Sequence, residues 1–121
     1  MKLRIKGNTI RFRLTQGEVA RLRAGEALHE TTEFAAAQIL AYRLEPAAGI
    51  GAMQAGFENG VVTVRLPESE VVAWADGDAV GMYGRPGVLD VAIEKDFQCL
   101  ARAGSTEEAD AFPNPHAGGK C

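Results

Sequence analysis

Lys2-Leu-Arg-Ile-Lys-Gly-Asn-Thr-Ile-Arg-Phe-Arg-Leu14 alternates cationic and apolar side chains on both sides of Gly7-Asn8, a two-residue hairpin turn. Folding there sets Leu3 opposite Phe12, Ile5 opposite Ile10, Arg4 opposite Arg11 and Lys2 opposite Arg13. One face of the hairpin is apolar. The other carries Lys2, Arg4, Lys6, Arg11 and Arg13, with like charges across from one another. Such pairs disfavour the hairpin unless carboxylates or a bound anion neutralise them.

The chain after the hairpin reads as a series of similar pieces. Thr15-Gln-Gly-Glu18 is a capping box, opening a helix over about 16–24 with Val19 and Leu22 on its apolar side and Gly25 as its stop. Leu28 to Phe34 reads as a strand, and 38–45 alternates again until Pro46-Ala-Ala-Gly49 ends it. A second hairpin turns at Asn59-Gly60, facing Phe57 with Val62, Ala55 with Val64 and Met53 with Leu66. Leu66-Pro-Glu-Ser-Glu70 opens a second short helix, its acids at the positive end of the helix dipole. Val71 and Trp74 form that helix's buried side, and Asp76-Gly77 ends it. Val80 to Tyr83, a turn at Gly84-Arg-Pro-Gly87, and Val88 to Cys99 form a third hairpin. Met82, Trp74 and Phe57 fall on apolar faces and are expected in the core.

Residues 10–28 laid over 62–80 match at a constant offset. Arg13, Leu14, Glu18, Val19, Gly25 and Ala27 meet Arg65, Leu66, Glu70, Val71, Gly77 and Ala79. The expected fold is mainly β (α+β): two ββαββ units, a duplicated domain of about eight antiparallel strands and two short helices closed into a barrel. Closure would remove exposed strand edges. The domain spans 1–100, with one repeat at about 2–45 and the other at about 52–100. Residues 101–121 form an acidic, Pro-containing tail, with Phe112 expected to dock on the body.

This rhythm of charged strands and short helices resembles the triphosphate-tunnel (CYTH-like) barrels, whose charged side chains line a tunnel. That family opens with alternating glutamates followed by a lysine, which hold metal. Here the first strand reads Lys2-x-Arg4-x-Lys6, so the resemblance does not extend to the metal site. Over its whole length the chain also resembles a family of small uncharacterised bacterial proteins. That likeness rests on Met1-Lys-x-Arg-Ile-x-Gly-Asn8 with Arg-x-Arg-Leu-Thr15, Thr31-Thr-x-Phe34, Ile93-Glu-Lys-Asp-Phe-x-Cys-Leu100 and Asp110-x-Phe-Pro-Asn-Pro115. It implies no activity.

Composition bounds the function. The 121 residues, 46% hydrophobic and 24% charged, suit one globular domain with a core of its own. A net charge of −3 argues against general binding to nucleic acid or to acidic membranes. No apolar run approaches the roughly 20 residues of a membrane helix, and no signal peptide is evident. Two cysteines are too few for a disulfide scaffold, and a cytoplasmic location is expected.

The foremost candidate site is the basic face of the first hairpin: Arg4, Lys6, Arg11 and Arg13, joined from the second half by Arg65 and Lys95. Guanidinium forks bind oxyanions bidentately. In Leu89 to Phe97, however, Asp90, Glu94 and Asp96 share one face, and a strand of acids beside the hairpin would make a structural ion-pair network. A mixed-charge face can still bind a ligand, so Glu94, Lys95 and Asp96 belong to the candidate set. Glu94 and Asp96 with Cys99 could serve as metal ligands or an acid/base pair, but no third carboxylate or histidine stands near them in sequence. Cys99, His116 and Cys121 lack the tight knuckle spacing of structural zinc sites, and a Cys99–Cys121 disulfide is a comparable alternative. His29 stands alone. The sequence points to a non-enzymatic binding or interaction module with a face for a small anionic or phosphate-containing ligand. No catalytic residues, metal or cofactor are expected. The alternative is a CYTH-like enzyme acting on a phosphorylated or triphosphate substrate.

Overall fold

A computed structural model describes residues 1–97 and Phe112. The elements run β1 (Lys2–Lys6), β2 (Thr9–Leu14), α1 (Gln16–Arg23), β3 (Leu28–Ala35), β4 (Gln38–Ala47), β5 (Gln54–Glu58), β6 (Val61–Pro67), α2 (Glu68–Asp76), β7 (Gly81–Gly84) and β8 (Asp90–Lys95). The order ββαββ thus occurs twice. The first hairpin pairs as its alternation requires, with Leu3 facing Phe12, Arg4 facing Arg11 and Ile5 facing Ile10. Asn59 and Gly60 turn the β5–β6 hairpin with φ of 52° and 76°, the two positive values a type I′ turn demands. Phe57 faces Val62, and Ala55 faces Val64.

The two halves exchange hairpins. One sheet has the order β1-β2-β8-β7 and the other β3-β4-β6-β5. Each contains one hairpin from each half, joined at its centre by a parallel pair: β2 with β8, and β4 with β6. The expected closed eight-stranded barrel is therefore replaced by two four-stranded sheets. Side chains, rather than a backbone ladder, bring the sheets together at their edges. The α-ammonium of Met1 reaches Glu30 of β3 at 3.0 Å, and Met53, just before β5, packs against Gly84 of β7. Lysines on β1 and the four-residue length of β7 are features that keep edge strands from pairing.

Between the sheets lies an apolar core. Phe12, Leu22, Leu44, Val64, Leu66 and Ile93 are fully buried, and no polar or charged residue is buried among the described residues. The helices pack on one another and close this core from one end. α1 contributes Val19 and Leu22 from a complete capping box at Thr15 and Glu18. α2 contributes Val71 and Trp74, and the indole Nε1 donates to the Val80 carbonyl at 3.1 Å. The interior that a triphosphate tunnel would need is filled.

Several expectations need correction. Phe57 is 69% exposed, as is Ile5 at 57%; both lie on apolar faces but next to hairpin turns, beyond the reach of the opposite sheet. β4 continues through Pro46 to Ala47. Its last residue paired with β3 is Leu44, opposite Leu28, so Pro46 has only β6 beside it and its missing N–H disrupts no ladder on the other side. β8 ends at Lys95, short of the expected Cys99. Phe112 is exposed rather than docked. The rest of the expected tail, with Cys99, His116 and Cys121, lies outside the described residues.

Candidate functional site

Strand alternation sends the charges of β1 and β2 and the acids of β8 outward, on the face away from Phe12 and Ile93. Because β8 is the direct neighbour of β2, the acids expected to balance the basic hairpin share its outer face. Arg11 Nε lies 3.2 Å from Glu94 Oε1, and Lys2 Nζ lies 3.2 Å from Asp96 Oδ2. At the turn end Arg85 Nε lies 3.6 Å from Asp90 Oδ1. Arg13 stands opposite Glu94 in the parallel register. The ion-pair network is present, and among the described residues of this face the cations still outnumber the acids.

The Nε of Arg11 is buried and makes no hydrogen bond, although it lies within ion-pair distance of Glu94. The contact is electrostatic, with the N–H poorly aligned to the oxygen. Among the described residues, Arg4, Lys6, Thr9 and Arg11 line a depression of about 110 Å³, and none of these is a carboxylate. Water takes up roughly 30 Å³ per molecule in the liquid, so this volume matches one small oxyanion or a few waters.

Two expected members lie elsewhere. Lys95 alternates to the inner side of β8, where Nζ donates to the Gly77 carbonyl at 2.9 Å and sits 5.8 Å from the Trp74 ring centroid. Arg65 belongs to the other sheet, where it donates to Gln54 Oε1 at 3.1 Å and approaches Glu45 Oε1 at 3.5 Å. Arg43 donates to the second oxygen of that Glu45 at 3.1 Å.

The site gains a residue that the sequence did not single out. Tyr83 on β7 donates its hydroxyl to Glu94 Oε2 at 2.8 Å. Partial burial and then the Glu94 carboxylate push its phenol pKa up, while Arg11 pulls it down. A Cβ at Gly81 would come within 2.9 Å of the Tyr83 hydroxyl and 2.8 Å of the Ile93 carbonyl oxygen, so the absence of a side chain there makes room for the ring. Thr9, at the turn end of β2, is a second such residue. Both follow from alternation once the strand order is known.

A groove of about 410 Å³ lies where α1, α2 and the end of β8 meet, lined by Leu14, Val19, Arg23, Asp76 and Lys95 among others. Its charges are engaged: Lys95 by the Gly77 carbonyl, Asp96 by Lys2, and Arg23 and Asp76 by each other. Arg23 grips Asp76 with two hydrogen bonds of 3.1 and 3.0 Å, which hold that carboxyl below its usual pKa. Among the described residues, no group of three or more His, Cys, Asp or Glu side chains is placed to hold a metal ion, and no helix is long and apolar enough to cross a membrane.

A protein family described as a family of unknown function, DUF7009, matches residues 1–116. No curated protein and no solved structure matches the chain.

Proposed function

The chain belongs to the DUF7009 family of unknown function, and since membership carries no activity, we propose from the site alone that it is a non-enzymatic module binding a small oxyanion. The observation that carries this reading is the depression formed by Arg4, Lys6, Thr9 and Arg11, with no carboxylate among its described lining residues. Arg4 and Arg11 are directly opposed across the hairpin, an arrangement that an anion between them stabilises. Their guanidinium groups offer paired donors, Lys6 adds a point charge, and Thr9 adds a hydroxyl donor. A phosphate-type group satisfies all four. Glu94 and Asp96 act at the border, holding Arg11 and Lys2. The alternative of a triphosphate-processing enzyme finds no support in an interior filled by Phe12, Leu44 and Ile93.

Titration of the protein with inorganic phosphate at low ionic strength, followed by amide NMR, tests the proposal. Shifts should concentrate at residues 4–11 and weaken with added salt. Arg4→Gln and Lys6→Gln should each weaken binding about two- to fivefold, as expected for exposed charge contacts worth roughly 0.5–1 kcal/mol. Shifts scattered over the surface, indifferent to both substitutions, would sink it.

A further inference from the structure

The two sheets end in the edge strands β1, β7, β3 and β5. β1 bears lysines, β7 is four residues long, and β5 is five residues long with Gly56 at its centre, all features that discourage further pairing. β3 has none of them. It runs for eight residues, Leu28-His-Glu-Thr-Thr-Glu-Phe-Ala35, without lysine, proline or glycine. Every residue after Leu28 is exposed, Phe34 to 71%. One margin of its backbone pairs with β4, and the other has no strand beside it among the described residues. The irregularity between Glu33 and Ala35 leaves residues 28–33 in regular register. An open edge of this length is a template for another strand.

The side chains of that edge complement a second copy of themselves. Two copies related by a two-fold axis meet antiparallel, each opposed pair sharing one face of the joint sheet, so the axis passes through a single residue. An axis at Glu30 sets two carboxylates against each other. An axis at Thr32 opposes Glu33 to Thr31 and leaves His29 against Ala35, beyond the irregularity. An axis at Thr31 opposes His29 to Glu33 twice, Glu30 to Thr32 twice, and Thr31 to itself, with no like charges facing. Arg43, the β4 neighbour of His29, extends the positive side of each His29–Glu33 row, and its own bond to Glu45 is undisturbed. Glu30 alternates to the other face, where Met1 holds it, so it does not compete for His29. We propose that two copies of this chain pair edge to edge along β3, antiparallel about a two-fold axis at Thr31, joining their β3-β4-β6-β5 sheets into one. This interface lies on the other sheet from the basic face and does not depend on it.

Sedimentation equilibrium of the full chain over a concentration series tests the proposal, and should show a monomer–dimer equilibrium. Glu33→Lys, at an exposed position, should raise the dimer dissociation constant about tenfold, because symmetry makes one substitution alter two cross-strand pairs. Adding His29→Glu to Glu33→Lys reverses the pair and should restore dimerisation. Oxidative cross-linking reads the register directly. In a chain carrying Cys99→Ser and Cys121→Ser, Thr31→Cys should form an intermolecular disulfide, since directly opposed Cα atoms lie about 4.5–5.5 Å apart. Glu33→Cys should not, because the two copies of that residue stand roughly 13 Å apart along the strands. A chain that stays monomeric at millimolar concentration overturns the dimer. A dimer indifferent to Glu33→Lys, not rescued by the reversed pair, or cross-linked as readily from position 33 as from 31 overturns the β3 interface.

Discussion

Glu18 uses its two carboxylate oxygens for different partners. Oε1 accepts from the Thr15 amide at 2.9 Å, completing the cap of α1, while Oε2 pairs with the α-ammonium of Met1, which also reaches Glu30. Burial alone would raise the Glu18 pKa, but the ammonium and the Thr15 amide outweigh it and hold it below the ordinary 4.5. Burial would likewise lower the Met1 pKa, yet Glu18 and Glu30 raise it above 8.0. The carboxylate's contribution to stability is complete above its ordinary pKa and is lost as pH falls through the lowered value. The ammonium's is complete below 8.0 and is lost as pH rises through the raised one. Glu18→Gln keeps a capping acceptor and removes the charge. Its melting temperature should fall below that of the unsubstituted protein near neutral pH, with the difference closing as pH falls below the ordinary 4.5 and through the lowered value. A difference that persists undiminished in acid would show that the charge contributes nothing. At this scale the sequence was informative about faces and silent about neighbours. Alternation set Asp90, Glu94 and Asp96 on one face of the last strand, while Lys95, expected on the basic face, lies on the other side against Gly77 and Trp74. No local signal separates Arg65 from the basic hairpin, because that depends on which sheet β6 joins.

Among the elements, the hairpins with Gly or Asn in their turns were legible to the residue pair. Gly7-Asn8 and Asn59-Gly60 fix both the turn and the register, and the apolar faces agree with them. The β3–β4 hairpin was not legible as one. Its strands alternate, but its turn is Ala36-Ala37, which carries no turn-forming residue, and Ala37 adopts a φ of 62°. A non-glycine residue in this left-handed region is strained by about 1–2 kcal/mol. Ala37→Gly should relieve that strain and lose about 0.4–1 kcal/mol through a freer unfolded chain. The net expectation is stabilisation of about 0.5–1 kcal/mol in urea denaturation, while a destabilised variant would contradict a strained turn. The same reasoning in reverse applies at Gly60. Its φ is 76°, and an added Cβ would sit 2.7 Å from the Ile39 carbonyl oxygen.

For the molecule as a whole, the order of elements was readable and the pairing between hairpins was not. Two ββαββ halves suggested a closed barrel, but edge-to-edge closure requires backbone ladders where this fold has a Met1–Glu30 ion pair and a Met53–Gly84 contact. The parallel unions β2–β8 and β4–β6 join residues far apart in sequence, and amphipathic alternation is the same whichever hairpin lies alongside. The exchange makes each half incomplete. Residues 1–50 hold the β1–β2 and β3–β4 hairpins, which belong to different sheets and lack their central partners. The separate pieces 1–50 and 51–121 should each lack strand signal by circular dichroism and regain it when mixed. Stable β structure in either piece alone would show that the halves are independent.

The salt bridge from Lys2 to Asp96 has a consequence for connectivity. It brings the start of β1 and the end of β8 to the same end of one sheet, only two strands apart. A short linker from Phe97 back to Met1, with a cut in the connection 48–53, would give a circular permutant. That permutant would read β5, β6, α2, β7, β8, β1, β2, α1, β3, β4, again ββαββ twice. Each half would still donate one hairpin to each sheet. The loops bridged by the two parallel unions would trade lengths while the topology stayed the same, so the molecule has two nearly interchangeable places to begin.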